Sequence, residues 1–366
     1  MAIGTPLQIV VSRDSDDRRT DAYVDTLRLA FEGSAEPASS ASAYLADAVD
    51  LGVRVLEPAG DIEEAEIGAL VGGARETVVV VIGEESARSA ALEGMVGEER
   101  VVRVESPPPV SAGTVQVDRG GSEEYAFAPV VTTLRTMERA RGVLVARIGR
   151  TAGGASAGVL KLFISHAKTD GVAMAKSLIG VLRQLQEADP GGAGFQYFYD
   201  AEHIAPGALW RDVLEAQASE SVLIALRTEA YESRYWCRRE FLLAESNGMP
   251  IVAVDLRREQ YHGSALLPFE VVPSVRVHDG NLIRVVLHAM ATHLRALRVA
   301  SAAGRVVKVL PHRPSVYSLA GVRRASAGFE QIAHPAPKVP DAYDRAVRPI
   351  LRSAGGAAKL VTFDEL

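Results

Sequence analysis

A chain of 366 residues has room for two or three domains. With 48% hydrophobic and 23% charged residues it has the composition of an ordinary globular protein, and its net charge of -6 argues against a broad nucleic-acid surface. One cysteine excludes an internal disulfide framework and a cysteine-based metal site.

The single cysteine suits a reducing compartment, and a cytoplasmic location is expected. The opening MAIGTPLQIVVSRDSDD lacks the basic stretch and long apolar core of a signal peptide. The longest apolar runs, such as VVVVI at 78–82, suit buried strands and are too short to span a bilayer, so no membrane association is expected.

In chain order, LQIVVS predicts a first strand. GVRVLEP (52–58), TVVVVIG (77–83), RVVRVES (100–106) and GTVQVD (113–118) predict four more, and a helix rich in Leu, Met and Arg follows over 124–142. IGRTAGGASAG (148–158) is small and Gly-rich, the composition of a flexible linker. GVLKLFIS (158–165) then opens a second unit as a continuous apolar run, the mark of a strand covered on both faces. A helix is predicted from Asp170, with Ala175, Leu178, Ile179, Leu182 and Leu185 three or four apart. FQYFYD (195–200) is the next strand, the loop AEHIAPGAL (201–209) follows, and a helix runs through Trp210, Val213 and Leu214. SVLIAL (221–226), a helix at 233–246, PIVAVDL (250–256), SVRVHD (274–279) and a helix ending near Leu297 complete the unit.

Strands alternating with helices imply α/β architecture, a parallel sheet with helices on both faces. The element order of the first unit repeats that of the second, with a serine ending the first strand in each, so the chain is read as an internal duplication. The expected organisation is a first α/β domain at 1–147, a linker at 148–157, a second α/β domain at 158–300 and a small α/β extension at 301–366. Within the extension RVVKVLP, GFEQIAHP and AKLVTFDEL predict short strands, and DAYDRAVRPIL predicts a helix. The extension could dock on either domain or form an oligomer contact.

The densest chemistry lies in SRYWCRREFLLAES (233–246). On a helix, Trp236 and Glu240 fall on one face, a turn apart. That spacing admits two arrangements. In one, a carboxylate beneath an indole occupies a partly apolar pocket. In the other, Trp236 anchors the core and Glu240 pairs with Arg239 or Arg234. Cys237 is read as a small buried hydrophobe, and Arg238 and Arg239 as a solvated face from which one could meet a phosphate.

LFISHAKTD, FYDAEHIAPGALWRDVLEAQASESVLIAL, AYESRYWCRREF and GMPIVAVDL occur in that order, and as a set they resemble a bacterial Toll/interleukin-1 receptor (TIR) domain over about 158–300. The resemblance implies a flavodoxin-like sheet of five parallel strands in the second unit, and two such folds in tandem if the first is its degenerate copy. It also implies an NAD+ glycohydrolase that cleaves the bond between nicotinamide and ribose, or cyclises the product. NAD+ would be the substrate, with no cofactor and no metal. Glu240 would be the catalytic residue and Trp236, Ser165, His166 and Asp200 would bind substrate. Taken as residues, Ser165 could equally cap the next turn, His166 could be a surface loop residue, and Asp200 could satisfy loop amides. Ile204, Pro206 and Gly207 would form the loop that controls assembly. Self-association through TIR domains or an activating partner would switch the enzyme on, in antiphage defence. The competing expectation is a non-enzymatic interaction scaffold. In the first unit Glu93 falls opposite Glu240 but Ser89 falls opposite Trp236, which marks that copy as degenerate.

Overall fold

The computed structural model describes residues 7–13, 21–32, 53, 55–56, 76–82, 87–104, 127–152, 159–188, 195–199, 221–257, 267–277, 282–303, 306–324, 329–352 and 358–366. The expected strand at 113–118 and the helix through Trp210 lie outside them.

The first unit carries β1 (Leu7–Arg13), α1 (Asp21–Glu32), β2 (Val55–Leu56), β3 (Glu76–Ile82), α2 (Ala87–Val96), β4 (Val101–Val104) and α3 (Phe127–Ala152). Its strands are parallel in the order β2-β1-β3-β4. The second unit has β5 (Leu160–His166), α4 (Val172–Glu187), β6 (Phe195–Tyr199), β7 (Ser221–Arg227), α5 (Tyr235–Ser246), β8 (Ile251–Asp255), β9 (Ser274–Arg276) and α6 (Ile283–Ala303). Its five parallel strands take the order β6-β5-β7-β8-β9. That is the flavodoxin-like order, and the first sheet repeats its first four places.

The apolar runs form strands because both their faces are covered. In β7, Val222, Ile224 and Leu226 join the core beneath α4 and α6, while Leu223 and Ala225 join the core beneath α5. β3 divides likewise, with Val78, Val80 and Ile82 on one side and Val79 and Val81 under α2. This two-residue alternation leaves no polar face to read in the sequence. The predicted stripe of α4 is buried as expected, with Val181 added to it.

The closing helices α3 and α6 pack on each other, and one apolar cluster passes through them from the first sheet to the second. Buried threonines on them fold their hydroxyls back onto their own backbone: Thr133 onto Pro129 O, Thr136 onto Thr132 O and Thr292 onto His288 O. Their polar groups are thereby satisfied without interrupting helix packing. α3 continues to Ala152, into the stretch read as linker, and α6 runs to Ala303, beyond the expected end near Leu297.

The extension is a second kind of α/β layer. β10 (Val307–Val309), β11 (Gln331–His334) and β12 (Lys359–Thr362) form a parallel sheet, crossed by α7 (Val316–Arg324) and α8 (Asp341–Arg352). α7 was not anticipated. It packs on α5, and Arg313 N donates to Val271 O, so the extension docks on the second unit. α5 ends in a Schellman motif: Gly248, at φ 69°, donates to Glu245 O and Met249 N donates to Ala244 O.

Three buried groups contribute to the response of stability to pH. On α6, burial and the nearby Arg141 guanidinium pull His293 from 6.5 down to about 3. Burial pulls His312 down to about 4, against the pull of backbone hydrogen bonds with Met249 and Arg313. Below about pH 6.5 the unfolded chain binds protons that these folded imidazoles refuse, so stability falls as pH drops toward 4 and then 3. Glu245 acts in the opposite sense. Burial and Glu270 push it from 4.5 up to about 7, with the Ser315 hydroxyl offsetting part of the rise. Its contribution is complete below pH 4.5 and is lost as pH rises through 7. Denaturation midpoints across pH 3–8 are expected to show His293→Leu flattening the acid side and Glu245→Gln removing the decline that Glu245 imposes between 4.5 and 7. An unchanged profile in either variant would remove that residue from the account.

Candidate functional site

Open parallel sheets place their crevices at the carboxyl ends of the strands. At that edge β5 ends in Ser165 and His166, and β7 runs into a short loop and a 3-10 turn, Tyr231–Ser233, that leads into α5. The loop is clamped from two sides. Asp170 accepts from Thr228 Oγ1 at 2.7 Å and from Ala230 N at 3.0 Å. Glu232, itself buried, accepts Arg227 Nε at 3.0 Å and Nη2 at 2.5 Å, and the guanidinium lies 4.1 Å over the Phe269 ring.

This bracing fixes Tyr231, whose side chain is fully buried and meets Phe269 edge-on. Its hydroxyl lies 2.8 Å from Ser165 Oγ, and Ser165 Oγ donates to Glu240 Oε2 at 2.5 Å. A serine hydroxyl has one proton. Since Ser165 gives it to the carboxylate, Tyr231 donates to Ser165. The result is a one-way chain from tyrosine to serine to glutamate. Burial and the Glu240 charge raise the Tyr231 phenol well above its usual range, so it stays a donor.

The structure therefore brings Glu240 and Ser165 together, although they are 75 positions apart in sequence. The Ser165 hydroxyl is occupied by this chain rather than capping a turn. His166 is buried and stacks on Tyr199 at 5.0 Å, which corrects its reading as a surface loop residue. Cys237 is the buried small hydrophobe expected: its thiol donates to His166 O, and burial with the Glu240 charge pushes it up to about 12. Asp200, Ile204, Pro206 and Gly207 lie outside the described residues.

Trp236 overturns the core-anchor arrangement. It is 60% exposed, in edge contact with Tyr235 and with the Arg239 guanidinium 5.2 Å from its ring. The buried stripe of α5 is Cys237, Phe241, Ala244 and Glu245, one position round the helix. Trp236→Ala is expected to leave unfolding stability within about 0.5 kcal/mol of wild type, as for an exposed position. A loss of several kcal/mol in a denaturant titration would restore the anchor reading. Arg238 is not simply solvated; it donates to Glu232 O.

In the first unit Glu93 on α2 meets a different partner. Arg103 of β4 grips its carboxylate in a bidentate pair, Nε to Oε1 and Nη2 to Oε2. An arginine thus stands against the carboxylate where the second unit uses a hydroxyl chain.

Tyr231, Asp170 and the Arg227–Glu232 pair were not singled out from sequence. Among the described residues no group of three or more His, Cys, Asp or Glu side chains could hold a metal ion, and no helix is long and apolar enough to cross a membrane. No family model, no curated protein and no solved structure matches the chain.

Proposed function

We propose that the chain is an NAD+ glycohydrolase of the TIR kind, with Glu240 of the second unit as its catalytic residue. One observation carries this reading: a carboxylate at the carboxyl edge of a flavodoxin-like sheet, held at Oε2 by a buried hydroxyl. The chemistry suits such a group. Nicotinamide leaves NAD+ as a neutral base, and positive charge gathers on the ribose carbon as the bond breaks. A fixed carboxylate stabilises that oxocarbenium-like state. Water adds at the same carbon and gives ADP-ribose and a proton. Trp236, exposed one turn before Glu240, offers a face for the nicotinamide ring or ribose to stack on.

In this reading the first unit is a scaffold or sensor, since Arg103 neutralises Glu93. Activity is switched on by self-association or by a partner, in the cytoplasm, in defence against phage. The exposed Tyr235, Trp236 and Tyr317 favour a second reading, an interaction module without turnover, because exposed aromatics beside arginines are typical of binding surfaces. Nicotinamide release by purified full-length protein, dilute and under crowding, separates the two. Release supports the enzyme, and none under forced clustering supports the module.

A further inference from the structure

We infer that Tyr231 is a positioning residue for Glu240, acting through Ser165. The inference rests on the proposed NAD+ cleavage and deepens it. Ser165 becomes part of the support for the carboxylate rather than a contact to substrate.

The geometry is specific. A glutamate on a helix has three rotatable side-chain bonds, and ordering them is part of placing a carboxylate for chemistry. Ser165 fixes one oxygen at 2.5 Å. Serine alone could rotate its proton away from the carboxylate, because a hydroxyl turns freely about its C–O bond. The Tyr231 hydroxyl removes that freedom: at 2.8 Å it occupies an acceptor site of Ser165 Oγ and leaves the serine proton directed at Glu240. Tyr231 cannot move away, because its loop is held by Asp170 and its neighbour Glu232 is paired with Arg227. Orientation is thus passed from the folded core of the second unit to the carboxylate through two hydroxyl groups. Nothing in this arrangement requires Tyr231 to touch substrate.

The test is a kinetic cycle in the full-length protein with NAD+ as the probe: wild type, Tyr231→Phe, Ser165→Ala and the double variant. Phenylalanine keeps the ring packing on Phe269 and removes only the hydroxyl. Tyr231→Phe is expected to lower kcat roughly 10- to 100-fold with KM within about twofold, the pattern of lost orientation rather than lost binding. In the Ser165→Ala background the same change is expected to cost nothing further, since the chain is already broken. A Tyr231→Phe enzyme with wild-type kcat, or losses that multiply in the double variant, overturns the inference while NAD+ cleavage stands. A wild-type protein that releases no nicotinamide under any clustering overturns the functional reading itself, and the positioning role with it. A denaturation-midpoint cycle on the same four proteins guards against misfolding: if Tyr231→Phe shifts the midpoint equally in both backgrounds, the hydroxyls are uncoupled and the inference fails.

Discussion

Glu240→Gln is expected to lower nicotinamide release roughly a thousandfold or more, the scale of removing a principal electrostatic contributor from an active site. Glutamine is the informative substitution. Its amide oxygen can still accept from Ser165 Oγ, so the Tyr231–Ser165 chain keeps an acceptor and α5 keeps its packing. Only the negative charge disappears, and with it the stabilisation of positive charge on the ribose that the proposed NAD+ cleavage requires. Glu240→Ala would leave the Ser165 proton without its partner and would confuse lost charge with local rearrangement. Glu93→Gln is the matched control. It breaks a bidentate pair whose arginine is 45% exposed, so stability should fall by no more than about 1 kcal/mol and turnover should be unchanged. Turnover retained in Glu240→Gln but lost in Glu93→Gln would move the chemistry to the first unit.

The fold was legible where burial writes a continuous pattern. VVVVI and SVLIAL are strands covered on both faces, and their runs of apolar residues carry that fact directly. The recurring element order was legible for the same reason, and the two sheets share their strand order over four strands. Helix ends were harder. α3 overran its expected limit through Val143 and Leu144, which are buried against the core, and α6 through Arg298, Ala300 and Ser301, residues that permit a helix without marking its end. α7 was missed because nine residues, VYSLAGVRR, bury little more than Leu319 and Val322 as an apolar face.

The site was half legible. Spacing put Trp236 and Glu240 on one side of a helix, but spacing does not say whether that side is covered. Here the buried stripe runs one residue later, so Trp236 turns to solvent while Glu240 lies at the edge of the core, within reach of β5. Ser165 stood out as a strand-terminal serine, yet its bond to Glu240 joins distant segments that only the folded sheet brings together. Tyr231 gave no signal, because a single tyrosine in a loop has no period to reveal what it touches. Its importance appears once Asp170 and Glu232 are seen holding that loop.

Gly321→Ala is expected to pry the extension from the second unit. A Cβ at Gly321 would lie 1.6 Å from Ser246 O, 2.5 Å from Ser246 C and 3.0 Å from its Cα. Those are backbone atoms at the end of α5, so no side-chain rotation makes room and α7 itself has to move. The expected loss is about 3 kcal/mol, at the upper end for overpacking. Gly180→Ala supplies the contrast: on the exposed side of α4 nothing lies within 4 Å of the added methyl, and alanine should raise stability by about 0.5–1 kcal/mol through its better helix propensity. A second readout identifies the seam. Glu245 precedes Ser246 and owes its rise to about 7 mainly to burial, to which the docked extension contributes Ser315 as a neighbour. With α7 lifted, water reaches Glu245, its carboxyl returns toward ordinary values, and stability stops declining between pH 4.5 and 7. A Gly321→Ala protein that keeps both its wild-type denaturation midpoint and its pH profile would show that α7 does not rest on α5 at this contact.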